Sequence, residues 1–240
     1  MSGTARLQGL LAPAGSLQPT TLAEEAAEAL RRAILLERLS PGAPISEREV
    51  AEALAISRTP LRQALAILEQ EGLIEYSASR RPRVADPTLA ELGHALTVLG
   101  ALEALAGELA CEAASERDIR EVTRLCQAMA EGSDSLDPLE FFEIDMEFHR
   151  TIVLASANPA LIATHRQYNA RLWRARFISS RRRPDRAGTL RQHDEIATTF
   201  TARDATGCAQ ALRTHLATTH TNIAKALAER SATQPEVPRP

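Results

Sequence analysis

The sequence predicts a mainly α-helical protein, in which a small domain of three helices and one β-hairpin precedes an all-α antiparallel helical bundle. Apolar residues recur at spacings of three and four almost everywhere after Thr21, which is the helical period. Aromatic residues make up only 3% of the chain, and residues 73–84 alone have two short apolar runs around a polar turn, as hairpins do. With 44% hydrophobic residues the chain can bury a core, which excludes wholesale disorder.

The first predicted domain covers residues 21–86. Its second helix opens with Ser46 and has Glu49 three residues later, a capping-box pattern. The order of helix, helix, short turn, helix and hairpin is that of a winged helix-turn-helix, whose third helix enters the DNA major groove. The predicted elements are helices over 22–39, 46–54 and 57–70, the last burying Leu61, Leu65 and Leu68, and a hairpin over 73–84.

The second predicted domain covers residues 87–230 and is entirely helical. Turn-forming residues such as Gly132, Pro159 and Gly188 divide it into long helices. We expect residues 1–20 to be a disordered extension and residues 231–240 a disordered, proline-rich tail. The predicted helices cover 89–115, 116–131, 138–156, 159–180, 188–202 and 204–230.

Composition limits the possible partners and compartment. The apolar runs are shorter than the ~20 residues that a bilayer span needs, so we expect no membrane association. The start of the chain lacks the unbroken apolar core of a secretory signal, and its three cysteines form no C-x-x-C pair. We therefore expect a cytoplasmic protein with inert thiols. A net charge of −3 excludes a generally basic binder, although a local basic patch can still read DNA.

Such a patch is predicted on the winged helix-turn-helix. Residues 57–63 and 76–84 together hold five arginines and no acidic residue. The N-terminal residues of a recognition helix read base edges, and an arginine paired with guanine supplies ~1–3 kcal/mol of discrimination. Hydroxyls beside a helix N-terminus suit phosphate contacts. The candidates are Ser57, Arg58, Thr59 and Arg62 on the third helix and Arg80 in the hairpin.

Residues 22–84 resemble the DNA-binding domain of the GntR family of bacterial transcription regulators. The resemblance implies that Arg48, Arg58, Thr59 and Arg62 contact DNA and that the hairpin, or wing, enters the minor groove. The wing tip departs from the family, which often has glycine there, and leaves Arg80 as the candidate for that contact. The motifs are Leu39-Ser40-Pro41-Gly42-Ala43, Ser46-Glu47-Arg48-Glu49-Val50-Ala51, Ser57-Arg58-Thr59-Pro60-Leu61-Arg62 and Glu71-Gly72-Leu73-Ile74.

A second constellation lies in the helical domain. Asp145 and His149 are four residues apart, so a helix presents both side chains on one face as a chelating pair. His193 and His215 fall on two later predicted helices that fold back on each other. Imidazole and carboxylate suit Zn, Ni or Mn, and bundles build metal sites from ligands on several helices. The alternative for any lone histidine is an ordinary core or surface residue, which is what we expect of His94, His165 and His220.

The helical half resembles the FCD domain of the FadR subfamily within the GntR family, over about residues 89–227. The resemblance implies that Asp145, His149, His193 and His215 hold a divalent metal at the base of an effector cavity. It also implies a homodimer bound to an inverted-repeat operator in double-stranded DNA. The family's arginine for acidic effectors is missing, since Leu99 stands there, and Arg171, Arg174 or Arg176 is a candidate substitute. The matching motifs are Asp145-x-x-x-His149, Ala155-Ser156-Ala157-Asn158-Pro159 and Ala202-Arg203-Asp204-Ala205.

We therefore interpret the sequence as a cytoplasmic transcription regulator, a repressor in its expected mode, that responds to a small organic acid. The residues that bind this effector are not assigned. An enzyme is an alternative, because three histidines and one carboxylate can hold a hydrolytic metal with an open position. A purely structural metal with unregulated DNA binding is another. No acidic residue beside the site stands out as a general base, which disfavours the enzyme.

Overall fold

The computed structural model describes residues 21–181 and 186–233, which form nine helices and one two-stranded antiparallel sheet. This confirms the predicted mainly α-helical class. The predicted extension over 1–20 lies outside the described residues, as does the predicted tail beyond 233. The elements are α1 (Leu22–Leu35), α2 (Glu47–Ala53), α3 (Arg58–Gln70), β1 (Ile74–Tyr76), β2 (Pro82–Val84), α4 (Leu89–Ala113), α5 (Glu116–Gly132), α6 (Pro138–Ala155), α7 (Pro159–Ser180), α8 (Arg186–Thr201) and α9 (Ala205–Thr233).

The first three helices and the sheet share one core. The predicted stripe of Leu61, Leu65 and Leu68 on α3 is completely buried and packs with Leu30 and Ile34 of α1. The strands pair with Ile74 opposite Val84, which closes the core beside α3. Burying the leucine stripe of α3 fixes its opposite face outward, where a recognition helix must be accessible.

Two local expectations in this region need correction. Helix α1 ends at Leu35 and not at the predicted residue 39, because Glu37 adopts a left-handed backbone with φ 56°. The predicted capping box at α2 forms only in half. Ser46 Oγ accepts a bond from the Glu49 backbone N–H at 3.4 Å, whereas the Glu49 carboxylate lies 3.8 Å from Arg48.

Helix α4 runs through the helical domain and contacts α6, α7, α8 and α9. It is the one described helix that is long and apolar enough to cross a membrane by length and composition alone, with a mean hydropathy of 1.4. The inner face of α4 packs into the bundle, and 39% of this apolar segment is buried. The last helix, α9, continues through Thr233, so residues 231–233 are helical and not part of a disordered tail as predicted.

Candidate functional site

The N-terminus of α3 presents the predicted DNA-contacting side chains to solvent. Ser57 occupies the N-cap position, yet its hydroxyl makes no cap hydrogen bond. Arg58 and Thr59 follow in the first turn, and both are exposed. The first turn of a helix carries backbone N–H groups without intrahelical partners, so this end of α3 suits a phosphate oxygen. The structure thus brings a free hydroxyl, a threonine and a guanidinium together at one helix end.

The other two predicted arginines of this region lie in exposed ion pairs. Arg62 Nε is 3.0 Å from a Glu47 carboxylate oxygen, and the Arg62 side chain is 66% exposed. Arg48 Nη1 is 3.5 Å from Glu52 Oε1 in the same exposed setting. Exposed ion pairs of this kind stabilise a fold by at most ~1 kcal/mol. Both guanidiniums can therefore exchange a carboxylate for a phosphate or a base at little cost.

Arg80 lies in the turn between β1 and β2. Its backbone N–H donates to the Ser77 carbonyl at 2.8 Å and its φ is 57°. This left-handed conformation costs a non-glycine residue roughly 1–2 kcal/mol. The turn therefore holds an arginine at a position where glycine would be more stable.

The four predicted metal ligands come together inside the helical domain. Asp145 and His149 lie one turn apart on α6, His193 lies on α8 and His215 on α9, and all four are buried. One potential ligand atom from each residue lies within 4.8 Å of the others. Asp145 Oδ1 is 2.8 Å from His193 Nε2 and 3.4 Å from His149 Nε2. The aromatic rings of His149 and His215 stack with centroids 5.0 Å apart.

Each histidine ring is oriented by an oxygen at its Nδ1 atom. His193 Nδ1 lies 2.9 Å from the Thr189 carbonyl, and His215 Nδ1 lies 3.3 Å from Gln192 Oε1. His149 Nδ1 lies 2.8 Å from a Glu103 carboxylate oxygen. A proton on each Nδ1 faces these oxygens and leaves three Nε2 lone pairs beside the Asp145 carboxylate. The 2.8 Å contact between His149 Nδ1 and Glu103 is an ion-pair contact and not an aligned hydrogen bond. Such outer partners are how proteins fix metal-binding imidazoles.

The titration of the cluster reflects its burial and its close charges. Burial favours neutral Asp145, but the charge of His193 and the contacts with His149 hold the pKa of Asp145 well below its ordinary value. Burial lowers the pKa of His149, yet the charge of Glu103 and the contact with Asp145 raise it to about 9. Burial and the charges of His193 and His149 hold the pKa of His215 well below its ordinary range. Without an ion, His149 is therefore protonated between the buried carboxylates of Asp145 and Glu103.

These residues fit a divalent metal ion. Nitrogen and oxygen ligands bound at ~2.1 Å to one ion lie about 3–4 Å from each other, close to the spacing of the cluster. His149 Nε2 is buried and makes no hydrogen bond among the described residues. A buried nitrogen without a partner is costly, and an ion at the centre would satisfy it.

Glu103 is a buried acid beside the cluster that sequence reasoning did not assign to the site. It lies on α4, is 1% exposed, and contacts His165 Nε2 at 3.2 Å and Arg176 Nη1 at 3.4 Å as well as His149. Burial opposes its ionisation, but the charge and the close contact of His149 hold the pKa of Glu103 well below its usual value. A lone acid within the apolar face of α4 was the available signal. His165 is a satisfied core histidine, as expected.

A winged helix-turn-helix with an exposed, arginine-bearing recognition helix, joined to a separate helical domain, defines a DNA-binding transcription regulator. Residues 22–84 match the model of the bacterial regulatory proteins, gntR family, and residues 94–218 match the FCD domain. The chain therefore belongs to the GntR family and carries an FCD domain after its DNA-binding domain. The family and its relatives are transcription regulators, not enzymes.

Relatives and solved structures agree with this assignment. The chain is 33% identical over 195 residues to an uncharacterized HTH-type transcriptional regulator in an unstable DNA locus of Streptomyces ambofaciens, covering 78% of each protein. It is 28% identical to the HTH-type transcriptional repressor RspR of Escherichia coli, covering 78% of this chain and 82% of RspR. The structure of E. coli McbR/YncC has the same fold, with a TM-score of 0.74 at 20% identity over 88% of this chain and 99% of that one.

Proposed function

We propose that the protein is a metal-containing repressor that binds operator DNA as a homodimer in the cytoplasm and responds to a small organic acid. The metal-binding proposal rests on one buried cluster, whose potential ligand atoms lie within 4.8 Å of one another. Its members are Asp145, His149, His193 and His215. Zn, Ni and Mn all suit three imidazoles and one carboxylate. A divalent ion would supply a positive charge that attracts an anionic effector.

The space beside this cluster supports an acidic effector of small size. A pocket of about 40 Å³ is lined by Asp145, His215 and the 3% exposed Arg176, with Ser179 and Asn222 as further polar groups. This volume holds one or two waters, each with a share of ~30 Å³ in the liquid. Arg176, whose side chain lines this pocket, is the proposed partner of an effector carboxylate.

An exposed apolar face supports the homodimer. On α4, Val98 is 38% and Leu105 43% exposed, and both lie on the side of the helix that carries the exposed Ala101. A groove of about 520 Å³ between α4 and α9 adjoins this face. Apolar side chains grouped on one face mark an interaction surface. A second copy packed on it would cover the outer side of the helix that is apolar enough to span a membrane.

The proposed DNA contacts follow from the exposed groups at α3 and the wing. Arg58 and Arg62 read bases, Ser57 and Thr59 hold phosphates, and Arg80 reaches the minor groove, with Arg48 alongside. Two such surfaces related by a two-fold axis require an inverted-repeat operator. Repression is proposed because the relative RspR is named a repressor.

DNA binding is tested with the Arg58→Ala, Arg62→Ala double variant on an operator selected from random DNA. Each guanidinium lost should cost ~1–3 kcal/mol and relax base preference. Arg38→Ala is the matched control, since Arg38 is an exposed arginine of the same domain outside the cluster. Wild-type operator affinity in the double variant would contradict the assigned contacts.

The metal proposal is tested with the His193→Ala, His215→Ala double variant. We expect wild-type protein to hold about one ion per chain after reloading with Zn, Ni or Mn, and the double variant to hold none. Its operator affinity without effector should stay within a few fold. His94→Ala, at an exposed histidine, is the control. A panel of small carboxylates should shift the melting temperature of wild type only, and shifts in neither protein would leave the metal with a structural role alone.

The dimer face is tested with Val98→Glu, analysed by light scattering during gel filtration. A carboxylate at this position should convert the dimer to monomers and weaken operator binding, because it buries charge against an apolar partner. Leu154→Glu, at an exposed leucine of α6, is the control and should remain dimeric. A Val98→Glu protein that stays dimeric would show that the interface lies elsewhere.

A further inference from the structure

A cleft of about 660 Å³ separates the DNA-binding domain from the helical domain. Its walls come from α1 on one side and from α6 and α7 on the other. Pockets that bind small molecules typically measure about 300–1,000 Å³. The pocket at the metal cluster, at about 40 Å³, is far smaller. The cleft therefore has room for a ligand that the metal-bound pocket cannot hold in this conformation.

The walls of the cleft favour a ligand with an apolar body. Both domains contribute large aliphatic or aromatic side chains, and Trp173 packs edge-on against Phe142 at 5.2 Å beneath the cleft. Apolar surface in a concave site gains most from an aryl or alkyl group. The apolar lining residues include Leu36, Leu139, Met146, Val153, Ile162 and Trp173.

The charges around the cleft favour an anionic end on that ligand. The Arg31 guanidinium forms ion pairs with Glu71, with N···O distances of 2.8 and 3.0 Å, and with Glu28. Arg150 is likewise paired with Glu147 at 2.6 Å.

Within residues 21–181 and 186–233, three lining charges have no ion pair: Arg32, Arg166 and Glu143. The lining as a whole is neutral, with four arginines against four glutamates, and Arg32 and Arg166 are the cations available to pair with a ligand carboxylate.

Two polar residues of α7, separated by one helical turn, face the cleft. His165 and Asn169 are four residues apart and both line it. Arg176 Nη1 donates to Asn169 Oδ1 at 2.8 Å, which fixes the amide and leaves its Nδ2 group as a donor for a ligand. Arg176 and His165 also contact Glu103, which holds His149 of the metal cluster. The cleft and the cluster thus share a buried polar network.

We propose that this cleft is a second small-molecule site, which takes an aryl or alkyl monocarboxylate with its apolar body against Trp173 and its carboxylate at Asn169 and the free arginines. Because its walls belong to both domains, an occupant stabilises one relative placement of the DNA-binding domain and changes operator affinity. None of the four cluster residues lines the cleft, so a ligand can occupy it without touching the metal-anchored effector pocket.

The test uses full-length protein and the fluorescence of Trp173, the single tryptophan of the chain. Titration with 4-phenylbutyrate should change this fluorescence saturably, and 4-phenylbutanol should bind on the order of tenfold more weakly because it lacks the charge. Ala170→Phe fills the cleft from its wall and should abolish binding. Ala163→Phe, at an exposed alanine of the same helix, should leave it unchanged.

Two further variants keep the result decisive. Asn169→Asp keeps an oxygen for Arg176 but repels the ligand, so it should weaken phenylbutyrate binding by about tenfold or more. The His193→Ala, His215→Ala variant should bind phenylbutyrate like wild type, which separates this site from the metal-anchored one. Absence of binding to wild type at millimolar concentration overturns the proposal. So does unchanged binding by folded Ala170→Phe or Asn169→Asp protein, or loss of binding in the histidine variant.

Discussion

Replacing Glu103 by glutamine tests whether a buried carboxylate positions His149 for metal binding. The side chain is 1% exposed, and its two oxygens face His149 Nδ1 at 2.8 Å and His165 Nε2 at 3.2 Å. Glutamine has the same size, yet only one of its two terminal atoms accepts a hydrogen bond. One of the two imidazoles then faces an N–H₂ group, and the negative charge near Arg176 is lost.

The expected magnitude follows from these contacts. Loss of an outer partner of a metal-binding histidine lowers metal affinity by about 10–100-fold, or ~1.4–2.7 kcal/mol. Breaking a buried ion pair outright costs ~3–5 kcal/mol of stability. The cost here should fall below that range, because Arg176 keeps its 2.8 Å bond to Asn169 Oδ1 and the amide oxygen remains an acceptor.

Metal affinity is measured by competition with a chelating dye for Zn and Ni, alongside thermal melting of the metal-free protein. Glu108→Gln is the matched control, since Glu108 is an exposed acid on the same helix. Operator affinity of the metal-free Glu103→Gln protein should remain within a few fold of wild type, which separates a positioning role from general unfolding. Metal affinity within twofold of wild type in folded Glu103→Gln protein would refute the positioning role.

Three substitutions in the DNA-binding domain test its packing and its wing. Leu65→Ala removes a fully buried side chain and should lower the free energy of unfolding by ~2–5 kcal/mol in denaturant titrations, whereas exposed Gln63→Ala should change it little. Arg80→Gly should raise stability by ~1 kcal/mol by relieving the φ of 57°, yet weaken operator binding and flatten its salt dependence; equal affinity at all salt concentrations would remove Arg80 from the interface. Gly72→Ala should cost ~1–2 kcal/mol in melting experiments, because its φ is 70° and the new Cβ would clash with Arg171 Cγ.

The elements of the fold could be predicted because their signals are local. Spacings of three and four residues set the helices, and the buried side of α3 follows from Leu61, Leu65 and Leu68 alone. The predicted helix ends were less accurate where the backbone adopts an unusual conformation. The residue types of Leu36 and Glu37 do not indicate that Glu37 adopts a left-handed backbone conformation, so the predicted helix extends beyond Leu35.

In the candidate site, too, local relationships could be predicted from the sequence and long-range contacts could not. Asp145 and His149 could be paired from sequence because one helical turn joins them. The partnership of Glu103 with His165 spans 62 residues and depends on which faces of α4 and α7 oppose each other. A single sequence carries no signal for that pairing, although it does show an acid among apolar neighbours. Such an acid must find buried partners, and here they are the outer shell of the cluster.

Helical periodicity could have selected one of the three arginines of α7 as the candidate substitute for the family's effector-binding arginine. Leu99 occupies the usual position, and Arg171, Arg174 and Arg176 were equal candidates to replace it. Leu172 and Ser179 are buried on α7, and only Arg176 shares their helical face, four residues after one and three before the other. Its guanidinium consequently enters the bundle at 3% exposure and contacts Glu103, while Arg171 stays exposed beside Gly72. Under the proposed function, Arg176 can therefore pair with an effector carboxylate from α7, although Leu99 occupies the corresponding position on α4.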